Sequence, residues 1–338
     1  MTTTIAQTAQ ASSITAIGAQ DNGYVGFTDQ FGTTPYGYKN VEGGLNMNHL
    51  VETGDYPVTL KPLCFEHNGE MIQTPNFSVF REDTETMLYP SVGKDYTIVD
   101  NSNLIAQVQD ITTQYSNIEI ESTGTMKGGQ LFYISLLIDR HAVKGDQSET
   151  RTRMLMTNGF GGVSLSACLN QLRVECMNTY RMANAQGKLN KSLKRFRHTK
   201  NVGTKLQNHV FDLAEIVGEI KQHNLALDYM ATLQINSQYI EDTLESLFPP
   251  FDAKGQMLDG RALSIANNKK DSIMEIFESK EDLSPLENTR YKLFNAITDY
   301  TSNEMSLRGN VDFSKRLINS IDGVGDKINQ KAFELIMA

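Results

Sequence analysis

The chain of 338 residues predicts an α+β fold, an antiparallel sheet with a β-β-β-α core followed by a helical C-terminal region. Three observations carry that expectation. From about residue 55 to residue 176, short runs rich in β-branched and aromatic residues are bounded by Gly, Asn, Asp or Pro. Within that region, residues 130–168 read as three consecutive strands joined by short polar or glycine-rich connections. After Lys200 the apolar period changes from two to three and four, which is helical.

In chain order, residues 1–20 are Thr, Gln, Ser and Ala with no charge and no apolar run, so they read as a poorly ordered arm and not as a secretory signal. Residues 21–200 then form the expected α+β domain and residues 201–338 the helical region. The expected strands are NFSVF (76–80), DYTIV (95–99), NIEIES (117–122), QLFYISLLID (130–139), RTRMLMTN (151–158) and GVSLSAC (162–168). RHAVKGDQSE links the fourth to the fifth of these, and GFGG, whose glycines can adopt positive φ, links the fifth to the sixth. QLRVEC (171–176) either extends the last strand or forms another, and MNTYRMANA begins a helix. Leu206, Val210, Leu213, Ile216, Val217 and Ile220, then Leu225, Met230, Leu233, Tyr239, Ile240, Leu244 and Leu247, mark long amphipathic helices. The paired prolines of FPPF (248–251) end that run by removing donors. A further helix is expected from Ser284-Pro285-Leu286-Glu287, with a face formed by Tyr291, Phe294, Ile297 and Tyr300 or Thr301.

The sequence holds no phosphate-binding loop of the G-x-x-x-x-G-K-[ST] type, no G-x-S-x-G, no H-E-x-x-H and no paired C-x-x-C. Cys64, Cys168 and Cys176 are too few for a disulfide framework, and Cys176 sits in an apolar run as a small core residue. No run reaches the ~20 apolar residues of a membrane span, so the expected setting is cytoplasmic, without a membrane partner. Glu119 and Glu121 on one strand, with Asp139 at the end of the next, could hold Mg²⁺ in a metal-dependent nuclease. No Lys stands at a spacing that completes such a signature, and a solvated strand face is the simpler reading. No metal site, cofactor or catalytic residue is expected.

The strongest physical lead is charge. The formal net charge is −9, yet from Cys176 to Phe211 there is no Asp or Glu and eight basic residues, which leaves the remainder of the chain at −17. Such a run can be merely a solvated face balanced by an acidic body. Alternatively, Lys188, Lys191, Lys194, Arg195, Arg197, Lys200 and Lys205 line a phosphate track, with Phe196 between two arginines as a base-stacking ring and His198 and Thr199 as hydrogen-bond donors. Contacts of this kind give affinity with little sequence choice.

RVECMNT (173–179) and the basic run ending in RHTKN (197–201) resemble a pattern found in a family of phage- and plasmid-encoded proteins, a phage/plasmid-like domain of unknown function. TGDYPVTLKPL (53–63), VGKDYTIVDN (92–101), MLMTNGFGGVSLSA (154–167) and NTRYKLFNAITDY (288–300) are similar to further segments of that family, so the resemblance spans residues 24–305. The family often carries Trp at its aromatic positions, one of them in a Trp-His-Gly-x-Gly motif. This chain has no Trp, and its nearest segment, Pro35-Tyr36-Gly37-Tyr38, lacks the His. The resemblance implies a bacteriophage setting. By architecture, β-β-β-α with a basic segment also resembles Rad-type single-strand annealing proteins, which form rings and hold single-stranded DNA in a positive groove. The expectation is therefore a non-catalytic, phage-encoded protein of recombination that binds single-stranded nucleic acid, DNA above all, as a homo-oligomer such as a ring. A host-inhibiting, self-assembling interaction protein is the rival expectation.

Overall fold

The computed structural model describes residues 45–173, 178–181, 193–200, 202, 213–307, 316, 319–320 and 323–338. Among them the fold is α+β, with two antiparallel sheets and seven α-helices, and the helical region follows the strands. The chain divides into two compact units. The first holds the described residues up to 138, residues 153–168 and those of 193–211; the second holds residues 139–152, those of 169–192 and those from 212 onward.

The first unit opens with α1 (Met47–Gly54), capped by Asn46, whose side chain accepts from the Asn48 backbone N–H at 3.0 Å. A three-stranded sheet follows: β1 (Val58–His67), β2 (Glu70–Arg81) and β3 (Thr86–Val92), in that order. Tyr56, Val58, Val79, Leu88, Val92 and Phe160 form its core. Next comes α2 (Asn101–Gln114), which buries Leu104, Ile105, Val108 and Ile111 at the i, i+4, i+7 spacing of an amphipathic helix.

The second sheet runs β4 (Glu119–Met126), β5 (Leu131–Ala142), β6 (Glu149–Gly159), β7 (Leu165–Arg173) and β8 (Asn178–Arg181), with β9 (Leu193–Phe196) also on β7. β5, β6 and β7 are the three consecutive strands expected for residues 130–168. Residues 132–138 of β5 are buried without alternation, as in a strand covered on both faces. The GFGG turn takes positive φ at Gly161 (65°) and Gly162 (90°), as its glycines foretold. A Cβ on Gly161 would also lie 1.9 Å from the Tyr89 ring, so no other residue fits there.

The second unit is built on α3 (Leu213–Thr232), α4 (Ser237–Leu247), α5 (Gly260–Ser279), α6 (Arg290–Asp299) and α7 (Val324–Met337). Every residue of α6 from Tyr291 to Asp299 is buried, and its apolar members join the main cluster with Leu227, Met230, Leu244, Ile273 and Phe333. Its buried polar groups bond locally or across helices. Asn295 donates to the Tyr291 carbonyl at 2.9 Å, and Thr301, in the turn that follows the helix, donates to Asn329 Oδ1 at 2.7 Å. FPPF stops α4 at Leu247, with Phe248 as the C-cap.

Three expectations are corrected. DYTIV (95–99) is not a strand; Tyr96 makes only an isolated bridge to Thr199. Residues 178–181 are not helical but pair as β8 with β7, from Asn170↔Arg181 to Arg173↔Asn178, because an open strand edge satisfies their backbone groups. Of the two readings of QLRVEC, extension of the preceding strand holds as far as Arg173, the last described residue of that segment. The helix expected from Ser284 starts at Arg290, capped by Thr289, because residues 281–283 spend their bonds in a 3₁₀ turn. The arm at residues 1–20, Pro35-Tyr36-Gly37-Tyr38 and Cys176 lie outside the described residues. No helix among the described residues is long and apolar enough to cross a membrane.

Candidate nucleic-acid interface

The basic segment is held on the first unit by β-pairing. β9 runs antiparallel to β7 in the register Leu165↔Phe196, Ser166↔Arg195, Ala167↔Lys194 and Cys168↔Leu193. A strand alternates its faces, so this register sends Phe196 inward and Arg195 and Arg197 outward. Phe196 is 8 % exposed and packs with Val99, Leu165 and Val202. Arg195, Arg197, Thr199 and Lys200 are exposed.

Three segments interlock beneath this face. His198 is buried, stacks on Tyr96 with ring centroids 5.2 Å apart at 10°, and places Nδ1 3.2 Å from the Thr97 carbonyl. The Tyr96 hydroxyl accepts from the Gly161 backbone N–H at 3.1 Å. Asn158, three residues earlier in the same tract, donates to the Val99 carbonyl at 2.8 Å and to Asn101 Oδ1 at 2.7 Å. Backbone bonds from Thr97 N–H to the His198 carbonyl (3.3 Å) and from Val202 N–H to the Thr199 carbonyl (2.8 Å) close the turn. Residues of segments 92–101, 154–167 and 197–200 thus meet in one clasp around the buried His198 and Asn158. Burial pushes the His198 imidazole below its ordinary pKa, and its carbonyl contacts oppose that only in part. Burial likewise raises the Tyr96 phenol.

This geometry revises two expected roles. Phe196 is a core residue, so base stacking by its ring is withdrawn. His198 supports the turn from below and offers no donor at the surface. Among the described side chains the outward cations are Arg195, Arg197 and Lys200, the last in an ion pair with Asp95 at 3.3 Å between two exposed side chains. Such a pair contributes little and is easily exchanged for another anion. Lys194 belongs to β9 by its backbone; Lys188, Lys191 and Lys205 lie outside the described residues.

The acidic group reads differently from its expectation. Glu119 is exposed, but a register irregularity between Ile120 and Ser122 turns Glu121 inward. There Arg153 Nη2 donates to it at 2.7 Å in a buried ion pair. Asp139 belongs to the second unit, where it accepts from Asn224 Nδ2 at 2.8 Å. Among the described residues no three His, Cys, Asp or Glu side chains converge as a cation site. Of the thiols, Cys64 is exposed and Cys168 buried.

Sequence reasoning missed a second buried network. Arg173 grips both Asp146 carboxylate oxygens at 2.7 Å, and the Tyr291 hydroxyl donates to the same carboxylate at 2.8 Å. Arg173 and Tyr291 come from two more of the quoted segments, RVECMNT and NTRYKLFNAITDY, while Asp146 comes from the β5–β6 turn. Burial and the Asp146 charge drive the Tyr291 phenol far above its ordinary pKa. The arrangement ties β7, the β5–β6 turn and α6 to one carboxylate.

Compared with known proteins, residues 89–321 match the family model described as a domain of unknown function, DUF932, over more than half of the chain. No curated protein and no solved structure matches.

Proposed function

Since the chain belongs to the DUF932 family of unknown function, we propose its role from its own surface: non-catalytic binding of single-stranded nucleic acid, DNA in the first place, through the β9 face. The observation that carries this reading is the alternation at residues 195–200. Phe196 and His198 are buried anchors, and Arg195, Arg197 and Lys200 project from a backbone fixed by β-pairing and by the clasp. Cations on a rigid edge bind phosphates with less ordering entropy than cations on a free loop. Arg195 and Arg197 stand about 6–7 Å apart along an extended backbone, a step suited to successive phosphates of an unpaired strand. With Phe196 withdrawn, affinity rests on charge, so the sequence preference is weak. Lys188, Lys191, Lys194 and Lys205 extend the same positive tract in sequence. A setting in phage recombination, in the host cytoplasm, and assembly into a homo-oligomer that joins short sites into one track complete the proposal.

The test is binding of a fluorescent single strand over a salt series. For about four phosphate contacts, affinity should fall roughly 50-fold between about 50 and 200 mM salt. No binding at the low-salt end, or a flat salt response, refutes the proposal.

A protein-interaction role is the second reading, and one observation favours it. The charge outside residues 176–211 is −17, which repels nucleic acid and suits a basic protein partner. Under that reading Arg195 and Arg197 serve self-assembly, and their charge reversal changes oligomer size with no nucleic-acid signal to lose.

A further inference from the structure

The β1–β2 hairpin carries an apolar surface that the described residues of its own unit leave exposed. β3 pairs only with residues 77–81 of β2, so beyond Phe77 the sheet narrows to two strands. There the register jumps from Pro62↔Phe77 to Cys64↔Gln73, placing Thr74, Pro75 and Asn76 opposite Leu63 alone. Past this bulge the ribbon runs through Phe65↔Ile72, Glu66↔Met71 and His67↔Glu70 to a two-residue Asn68-Gly69 turn with φ of 53° and 82°. All ten residues from Cys64 to Gln73 are exposed. Phe65 (51 % exposed) and Ile72 (40 %) are cross-strand partners on one face; Met71 (69 %) lies on the other. A two-stranded ribbon is marginal in water by itself, and large apolar side chains on such a ribbon mark a contact surface.

A complementary surface stands on α3. Val217, Lys221, Leu225 and Tyr229 follow at four-residue intervals and are all exposed, Leu225 by 59 % and Tyr229 by 52 %. The stripe spans about 18 Å of helix, enough to seat a ribbon of four residue pairs about 10–13 Å long. Charge agrees with shape: the ribbon brings the carboxylates Glu66 and Glu70 and no Lys or Arg, and the stripe brings Lys221, while Asp228 on the same helix face is held by His141 at 3.0 Å.

We propose that the Cys64–Gln73 hairpin of one copy docks on the α3 stripe of a second copy, with Phe65 and Ile72 against Leu225 and Tyr229 and with Glu70 near Lys221. The two surfaces differ, so the contact is head to tail and repeats until it closes as a ring or continues as a filament. The hairpin precedes residues 89–321, the part matched to the family, whereas the α3 stripe lies within it, so only one half of the contact belongs to the family match. This mode of assembly supplies the oligomer that the phosphate-track reading calls for, and its readout is mass without nucleic acid, so either can fail alone.

The experiment is sedimentation of the full chain at tens of micromolar. The native chain should sediment above dimer mass, and Phe65→Glu and Leu225→Glu should each reduce it to monomer while the circular dichroism spectrum stays native. Glu70→Lys and Lys221→Glu should each lower the mass, and the two together should restore it, a result that misfolding cannot mimic. Mixed chains carrying Ile72→Cys and Leu225→Cys separately should form a disulfide-linked dimer. A monomeric native chain, unchanged mass in both Glu variants, or no rescue by the paired reversal overturns the proposal.

Discussion

At the scale of single residues, the clasp under β9 explains why a cationic segment holds one conformation. His198 has its pKa lowered by burial, so the folded state favours the neutral ring. Its stabilising effect is therefore present above the ordinary imidazole value near 6.5 and is lost as pH falls through the lower folded value. Thermal unfolding followed from pH 8 down to pH 5 should show a decline that is shallower in His198→Gln, and equal slopes in the two proteins would count against this account. If the clasp positions the cations, single-strand affinity should weaken over the same pH interval in the native chain, against the general tendency of a protein gaining positive charge. His198 and Phe196 also show where a sequence alone misleads. Both sit among Lys and Arg and read as surface residues, but strand alternation places them on the inner face once β9 is paired.

At the scale of elements, the buried tie Arg173–Asp146–Tyr291 joins β7, the β5–β6 turn and α6 within the second unit. Both partners of the ion pair are almost wholly buried, at 2 % and 1 % side-chain exposure. Removing one leaves an uncompensated charge, so Asp146→Ala should lower unfolding free energy by about 3–5 kcal/mol. Urea denaturation measures this, and Arg173→Met added to Asp146→Ala should recover part of the loss. A cost for Asp146→Ala below ~1 kcal/mol would show that the tie is solvated. Elements with strong local periods were legible beforehand: β5, β6, β7, α4 and the stop at FPPF all follow from residue pattern. α2 was overlooked, though Leu104, Ile105, Val108 and Ile111 carry its period. β8 was read as helix because Asn178-Thr179-Tyr180-Arg181 has little pattern of its own, and pairing to β7 decides it.

At the scale of the whole molecule, charge is unevenly spread, and the basic tract must act against an acidic remainder. Reversing Arg195 and Arg197 to Glu takes the formal net charge from −9 to −13 and removes two of the three exposed cations among the described side chains of residues 195–200. Fluorescence anisotropy should then show at least a tenfold weaker single-strand affinity and a salt slope reduced by about 1.4, from two lost contacts. Unchanged affinity in a folded double variant would move the function to another surface. The sequence by itself determined the α+β order, the three central strands, the glycine turn and the charge asymmetry, because these depend on local pattern and composition. Tertiary structure alone decided which basic-segment residues face out, that Glu121 is spent on Arg153, and that distant segments meet in the clasp and at Asp146. Those outcomes depend on strand register and on pairing across long sequence separations, where a shift of one residue exchanges inside for outside.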